Sequence, residues 1–231
     1  MKKFEDLYDT KMRNGPYQIK LAIIGCLVNL LDGSFFTISP YFARFVQLDY
    51  LMTNDDAAWL TTTLLVGTLV SGPITALLLN FVGRKFTIMM GAFIGTLTGL
   101  SFYYSNTFTF LILSNVLLSM YMLSVLTTLM IYLVETIAGP NRGRVIVGVY
   151  SFFSVGRLYG AILIKLTLSP YKFGSWKLPY LINSLIIVVM FTIILFSLRE
   201  SIKYLFHKKN YEKTVKVFNE VQKANVGKHI L

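Results

Sequence analysis

The chain has 231 residues, 55% of them hydrophobic and 14% charged, with a mean hydropathy of +0.60. So much apolar surface excludes an ordinary soluble domain and fits a protein solvated by lipid. The net charge of +11 would suggest nucleic acid on a soluble protein, and the single cysteine, Cys26, excludes a disulfide within the chain.

Residues 1–18, "MKKFEDLYDTKMRNGPYQ", form a polar leading segment. It lacks an apolar core, so no cleavable signal is expected, and Glu5, Asp6 and Asp9 argue against an Arg-rich transit peptide. Six apolar segments follow within residues 19–198. The first, 19–42, carries Asn29 and Asp32. The second, 57–81, contains Pro73 in "SGPIT", where a kink is expected. The third, 86–104, begins directly after "GRK". The fourth, 109–134, contains Asn115 and runs into "YLVETIAGPNRGR". The fifth, 145–168, holds Arg157 in "FSVGRLYG", with Gly156 and Gly160 spaced for close helix packing. The sixth, 179–198, contains Asn183. Most of these segments reach the roughly 20 residues that cross a bilayer as a helix. Helices are expected because an open sheet leaves backbone groups unsatisfied in lipid. Trp59 and Trp176 fall near the outer boundary and read as interface-belt residues.

The tail, 199–231, is polar and basic. Asn210 is placed to N-cap a short helix with Glu212 in its first turn. Tyr211, Val215, Phe218 and Val221 recur at helical spacing, which predicts an amphipathic helix on the membrane surface or on the end of the bundle. His207 and His229 sit in this tail and fit no metal pattern. The expected fold is therefore an all-α membrane protein of six spans plus a short C-terminal helix, with no metal and no cofactor.

An even number of spans puts both ends on one side. Of the 22 cations, all but Arg44, Arg157, Lys165, Lys172 and Lys177 fall on that side, including Lys2, Lys3, Lys11, Arg13 and Lys228. The positive-inside rule then places both termini in the cytoplasm or an equivalent such as a mitochondrial matrix. Topology explains the positive charge, so the expected counter-charge is anionic lipid rather than nucleic acid.

Three short motifs punctuate this side. Between spans two and three, Gly83 permits a tight turn and Arg84 and Lys85 anchor it. After span four, Glu135 lies where an unpaired carboxylate is costly, and Arg142, Arg144 and Arg84 are its candidate partners. After span six comes "RESIKYL", with Glu200, Ser201, Lys203, Tyr204 and Leu205. In this order and at these positions the motifs resemble the signatures of the major facilitator superfamily, in particular its sugar-porter and organic-ion-transporter branches. The family turn reads Gly-x-x-x-Asp-Arg-x-Gly-Arg-Arg/Lys. Gly83, Arg84 and Lys85 match its end, while Asn80 replaces the aspartate and Ala76 the first glycine. Glu135, Arg142 and Gly143 match the pattern after span four. Glu200, Ser201, Lys203, Tyr204 and Leu205 match Pro-Glu-Ser-Pro-Arg-Trp/Tyr-Leu apart from its prolines. "GPYQ" and "LVNLLDG", which includes Asp32, are similar to the entry to the first span in the organic-ion branch.

The resemblance implies one six-helix half, the amino-terminal one, of a twelve-span carrier. Asp32, Arg157, Asn29 and Asn115 are then candidate substrate or proton positions, because charged and polar groups inside a membrane mark pathways. Against this stand plainer readings: Asp32 hydrogen-bonded to Ser34 or Thr37, Arg157 in a structural pair or reaching toward the interface, and the asparagines in interhelical hydrogen bonds. Two functions follow. The first is secondary transport of a small organic solute by alternating access, with a second half or a homodimer partner completing the carrier. The second is a non-transporting subunit of a larger membrane complex, for example in a mitochondrial inner membrane. The loss of the motif aspartate at Asn80 favours it. No nucleophile–base pair or phosphate loop suggests an enzyme.

Overall fold

The computed structural model describes residues 15–137, 139, 141–169 and 172–226. The charges read at Lys2, Lys3, Glu5, Asp6, Asp9, Lys11, Arg13, Lys228 and His229 lie outside the described residues. Eight helices are described: α1 (Pro16–Tyr50), α2 (Asn54–Phe81), α3 (Arg84–Tyr104), α4 (Phe108–Thr136), α5 (Arg142–Leu168), α6 (Lys177–Ser197), α7 (Ile202–His207) and α8 (Tyr211–Val226). The first six are each long and apolar enough to span a bilayer.

Local chemistry sets where these helices start. Gly15 precedes Pro16 at the first position of α1, and its N–H donates to Gln18 Oε1 at 3.0 Å. The start of α2 is a capping box: Asp56 N–H donates to Thr53 Oγ1 at 3.2 Å, and Thr53 N–H donates to Asp56 Oδ2 at 3.1 Å. Helix α2 therefore begins at Asn54, three residues before the expected span. Helix α1 runs eight residues past the expected 42, through Pro40, and stops where Leu51 turns left-handed at φ 49°. Arg44, expected beyond the span, is thus on a helix; its Nη1 donates to Gln47 Oε1 at 3.0 Å. Pro73 also lies within a continuous helix rather than ending it. At the tail, Lys213 N–H donates to Asn210 Oδ1 at 3.3 Å, the cap expected from sequence.

Helix α1 is the buried axis of the bundle, and α2 and α5 are its most open members. The α1–α5 contact is the closest in the molecule. A Cβ on Gly33 would collide with the Phe153 carbonyl oxygen, and one on Gly156 with the Leu30 carbonyl oxygen. Only glycine lets these backbones meet, so the packing role expected of Gly156 holds. The half of the bundle away from the termini is filled with rings. Phe102 stacks on Tyr180 with centroids 4.0 Å apart, and Phe42 meets Phe102 at 5.1 Å and Trp176 at 5.2 Å. Trp176 is therefore a core residue, 1% exposed, and not the belt residue expected; its indole N–H donates to Asp49 Oδ2 at 2.8 Å. Trp59 is 60% exposed.

Helix α8 folds back against α1 and α7. Tyr17 N–H donates to Asn225 Oδ1 at 3.1 Å, and Arg199 pairs with Glu220 at 3.1 Å. Its buried face is centred on Thr214, Val221 and Gln222. Of the stripe expected from sequence, Val221 is buried, whereas Tyr211 and Val215 are exposed. The stripe is a poor guide because the helix buries polar Thr214 and Gln222 against the bundle.

Candidate functional site

Two clusters hold most of the residues singled out from sequence. The first closes the end of the bundle where both described ends meet. Gly83 caps α3 with φ 105°, a conformation that disfavours any side chain. The exposed N–H groups of Arg84 and Lys85 donate to Glu200 Oε1 at 2.9 and 3.2 Å, so a carboxylate from beyond the sixth span caps the third. Arg84 forms a fork with Glu135, Nε to Oε2 at 3.0 Å and Nη2 to Oε1 at 2.6 Å. Ser201 Oγ donates to the same Glu135 carboxylate and accepts from Tyr204 N–H at 3.3 Å. Tyr204 lies under the Arg84 guanidinium at 4.7 Å and donates its hydroxyl to the Phe81 carbonyl at 3.1 Å. Burial pushes the Tyr204 phenol up; nearby Glu200 adds to this and Arg84 opposes it.

The three motifs thus become one network, and Arg84 supplies the fork on Glu135. Arg142 instead turns its Nε to the Ile137 carbonyl at 2.8 Å, closing the end of α4. Gly143 has open space around it, and Lys203 is half-buried on α7. Asn80 is exposed, and its side chain makes no hydrogen bond to a described residue. Behind the network, Tyr17 hydroxyl bonds Tyr132 hydroxyl at 2.8 Å, Tyr132 donates to the Arg199 carbonyl at 2.8 Å, and Arg199 N–H donates to Tyr17 at 3.2 Å. That tyrosine pair carried no signal in the sequence, since its members are 115 residues apart.

The second cluster lies inside the bundle. Asp32 is 6% exposed, its Oδ1 has no hydrogen-bond partner among the described residues, and it is close enough to Tyr121 of α4 to interact electrostatically. Asn29 donates to the Gly25 carbonyl at 2.9 Å and leaves its Oδ1 unpartnered. Asn115 Nδ2 is likewise buried without a partner, while Asn183 donates to Ser34 Oγ at 2.9 Å. Tyr121 and Thr128 on α4 add two more buried unpartnered hydroxyls. Such groups are costly in apolar surroundings, so α1 and α4 hold an unusual store of unmet hydrogen-bonding capacity.

Arg157 does not pair with Asp32. It points out of the bundle, with its guanidinium 5.7 Å from the exposed Phe36 ring, and no described carboxylate meets it. It stands about 22 Å along a helix about 40 Å long, near mid-depth. On the far end, Lys177 Nζ donates to the Tyr103 and Ser105 carbonyls at 3.1 and 2.9 Å, and Asp49 holds both Trp176 and Gly174 N–H, the latter at 2.8 Å. These ties between distant segments were not legible from local pattern.

A family model, the Major Facilitator Superfamily, matches residues 22–227. Among solved structures, the proton:xylose symporter XylE bound to 6-bromo-6-deoxy-D-glucose superposes with a TM-score of 0.79 at 11% identity, over 89% of this chain and 50% of that one. A partially occluded inward open conformation of the xylose transporter XylE from E. coli gives 0.78 at 12% identity, over 89% and 55%. The inward open conformation from E. coli gives 0.67 at 12% identity, with the same coverage. The chain spans about half the length of these structures. No curated protein matches it by sequence. With six spans in this arrangement and the family model covering nearly all of them, the chain belongs to the Major Facilitator Superfamily.

Proposed function

We propose that this chain is one six-helix half of a secondary carrier that moves a small organic solute by alternating access, completed by a second half or a second copy. The observation that carries this reading is Arg157. A guanidinium exposed at mid-depth on a membrane helix cannot be solvated by lipid without a penalty of about 2.5–3.5 kcal/mol or more. The open α1/α5 face must therefore front a water-filled cavity or another polypeptide. Asp32, Asn29 and Asn115 supply polar groups behind that face, as substrate or proton positions. The network of Gly83, Arg84, Lys85, Glu135, Glu200 and Ser201 acts as the gate on the terminal side, with Arg142, Gly143, Lys203 and Asn80 at its edge. The cation bias supports a cytoplasmic or matrix location for that side.

Asn80 favours a second reading, a transporter-derived subunit packed into a larger membrane complex. Its exposed amide meets no described partner, where the family aspartate would carry charge. Proteoliposome uptake separates the two. Transport predicts solute accumulation above empty vesicles that falls at least tenfold with Asp32→Asn and with Arg157→Ala. Flux indifferent to both changes contradicts the site, and an absence of flux favours the subunit reading.

A further inference from the structure

We propose that the open face of α5 is an oxyanion-binding wall, on which Arg157, flanked by Ser154 and Tyr150 and followed by Lys165, takes the carboxylate or phosphate group of the solute. The inference rests on the transport reading above and narrows its substrate class. Tyr150, Ser154, Arg157, Ala161 and Lys165 recur every three or four residues, so they share one face of the helix, and all five are exposed. Exposed Val147 and Leu158 border this stripe, but the guanidinium and ammonium groups on it carry a penalty in lipid.

Charge decides what the wall binds. Between Glu135 and Glu200 the sequence contains no Asp or Glu, while Arg142, Arg144, Arg157, Lys165, Lys172 and Lys177 all fall there. The nearest intramembrane carboxylate, Asp32, is turned inward toward α4. The Arg157 guanidinium rests against Phe36 and donates no hydrogen bond to any described residue, so among these its fork is open to a ligand. Guanidinium forks match carboxylate and phosphate geometry two bonds at a time, and such bonds strengthen where water is scarce. A cationic solute would be repelled along the whole face, and a neutral polyol would leave both cations unmatched. Lipid phosphates do not reach this depth, because Arg157 stands about 22 Å along α5. Lys165, about 12 Å further on, provides a second attractive station toward the far end.

The test uses the full chain purified in detergent, with succinate and inorganic phosphate as oxyanion probes, choline as the cation and xylose as the neutral probe. All are compared at chloride-matched ionic strength. Thermal stabilisation by succinate or phosphate, and not by choline or xylose, is expected; the better of the two distinguishes a carboxylate from a phosphate site. Arg157→Gln should raise the half-saturating concentration at least tenfold, Arg157→Lys by less, and Lys165→Gln severalfold. Should Arg157→Gln fail to fold, the Arg157→Lys and Lys165→Gln shifts still decide. A wild-type chain indifferent to both oxyanions, or variants with wild-type responses, overturns the proposal. Oxyanion binding without vesicle uptake removes the transport reading and keeps the site. Uptake of xylose or choline unaffected by Arg157→Gln keeps transport and removes the oxyanion assignment.

Discussion

At Gly83 three constraints meet in one residue. Its φ of 105° is unfavourable for other residues, and a Cβ there would lie 2.7 Å from Glu200 Oε2 and 2.9 Å from Tyr204. Gly83→Ala should therefore destabilise the chain by about 1–3 kcal/mol, through backbone strain and displacement of the Glu200 cap. Thermal unfolding in detergent reads this directly, and an unchanged midpoint counts against the geometry. Arg84 and Glu135 are each less than one-fifth exposed, so Arg84→Ala should cost about 2–3 kcal/mol by leaving a half-buried carboxylate with fewer donors. A double-mutant cycle of Arg84→Ala with Ser201→Ala should show non-additivity, because both side chains serve the Glu135 carboxylate. The residues of this network were readable in the sequence because each sits in a short motif. Which cation serves Glu135 was not. The choice of Arg84 over Arg142 depends on how α3 and α4 pack, and residue spacing carries no information about that.

Helices meet here through small residues, and the test at this scale is a contrast between glycines. Gly156→Leu should break the α1–α5 contact and yield aggregated or poorly expressed protein, because its first carbon already collides with the Leu30 backbone. Gly148→Ala on the same helix has nothing within 4 Å of its new carbon and should be tolerated. Comparable size-exclusion profiles for the two variants would contradict the packing. Existence and order of all six spans were legible from hydropathy, because apolar runs of that length have few other solutions. Helix ends were legible only where a cap is local. The Thr53–Asp56 box could have extended α2 to Asn54, whereas Trp176 left no sign that Asp49, far away in sequence, would draw it into the core. The buried face of α8 departs from the apolar stripe at Tyr211 and Val215 for a related reason: a stripe records apolarity, while Thr214 and Gln222 are buried by the docking of the tail.

At the scale of the whole molecule, a bundle closed by one polar network at its terminal end leaves α5 open, and on the proposed reading that side, where Arg157 meets Phe36 of α1, faces water. The asymmetry is physical: α1 is largely buried, α5 is open, and the only exposed mid-depth charge among the described residues, Arg157, sits on α5 beside Phe36 of α1. Hydropathy could not show which side of a span is left open by the bundle, since α5 scores as a span despite Arg157. The arginine itself was visible, but its outward direction needed the Gly33 and Gly156 contacts that fix the rotation of α5. The most direct test places single cysteines in a Cys26→Ala background, in native membranes, and exposes them to a water-soluble, membrane-impermeant thiol reagent. Ser154→Cys should react at least tenfold faster than Val189→Cys, which sits exposed on the apolar face of α6. If both positions are equally inert to that reagent and both react with a lipid-soluble maleimide, the α5 face is in lipid, and the claim of a water-lined wall is contradicted.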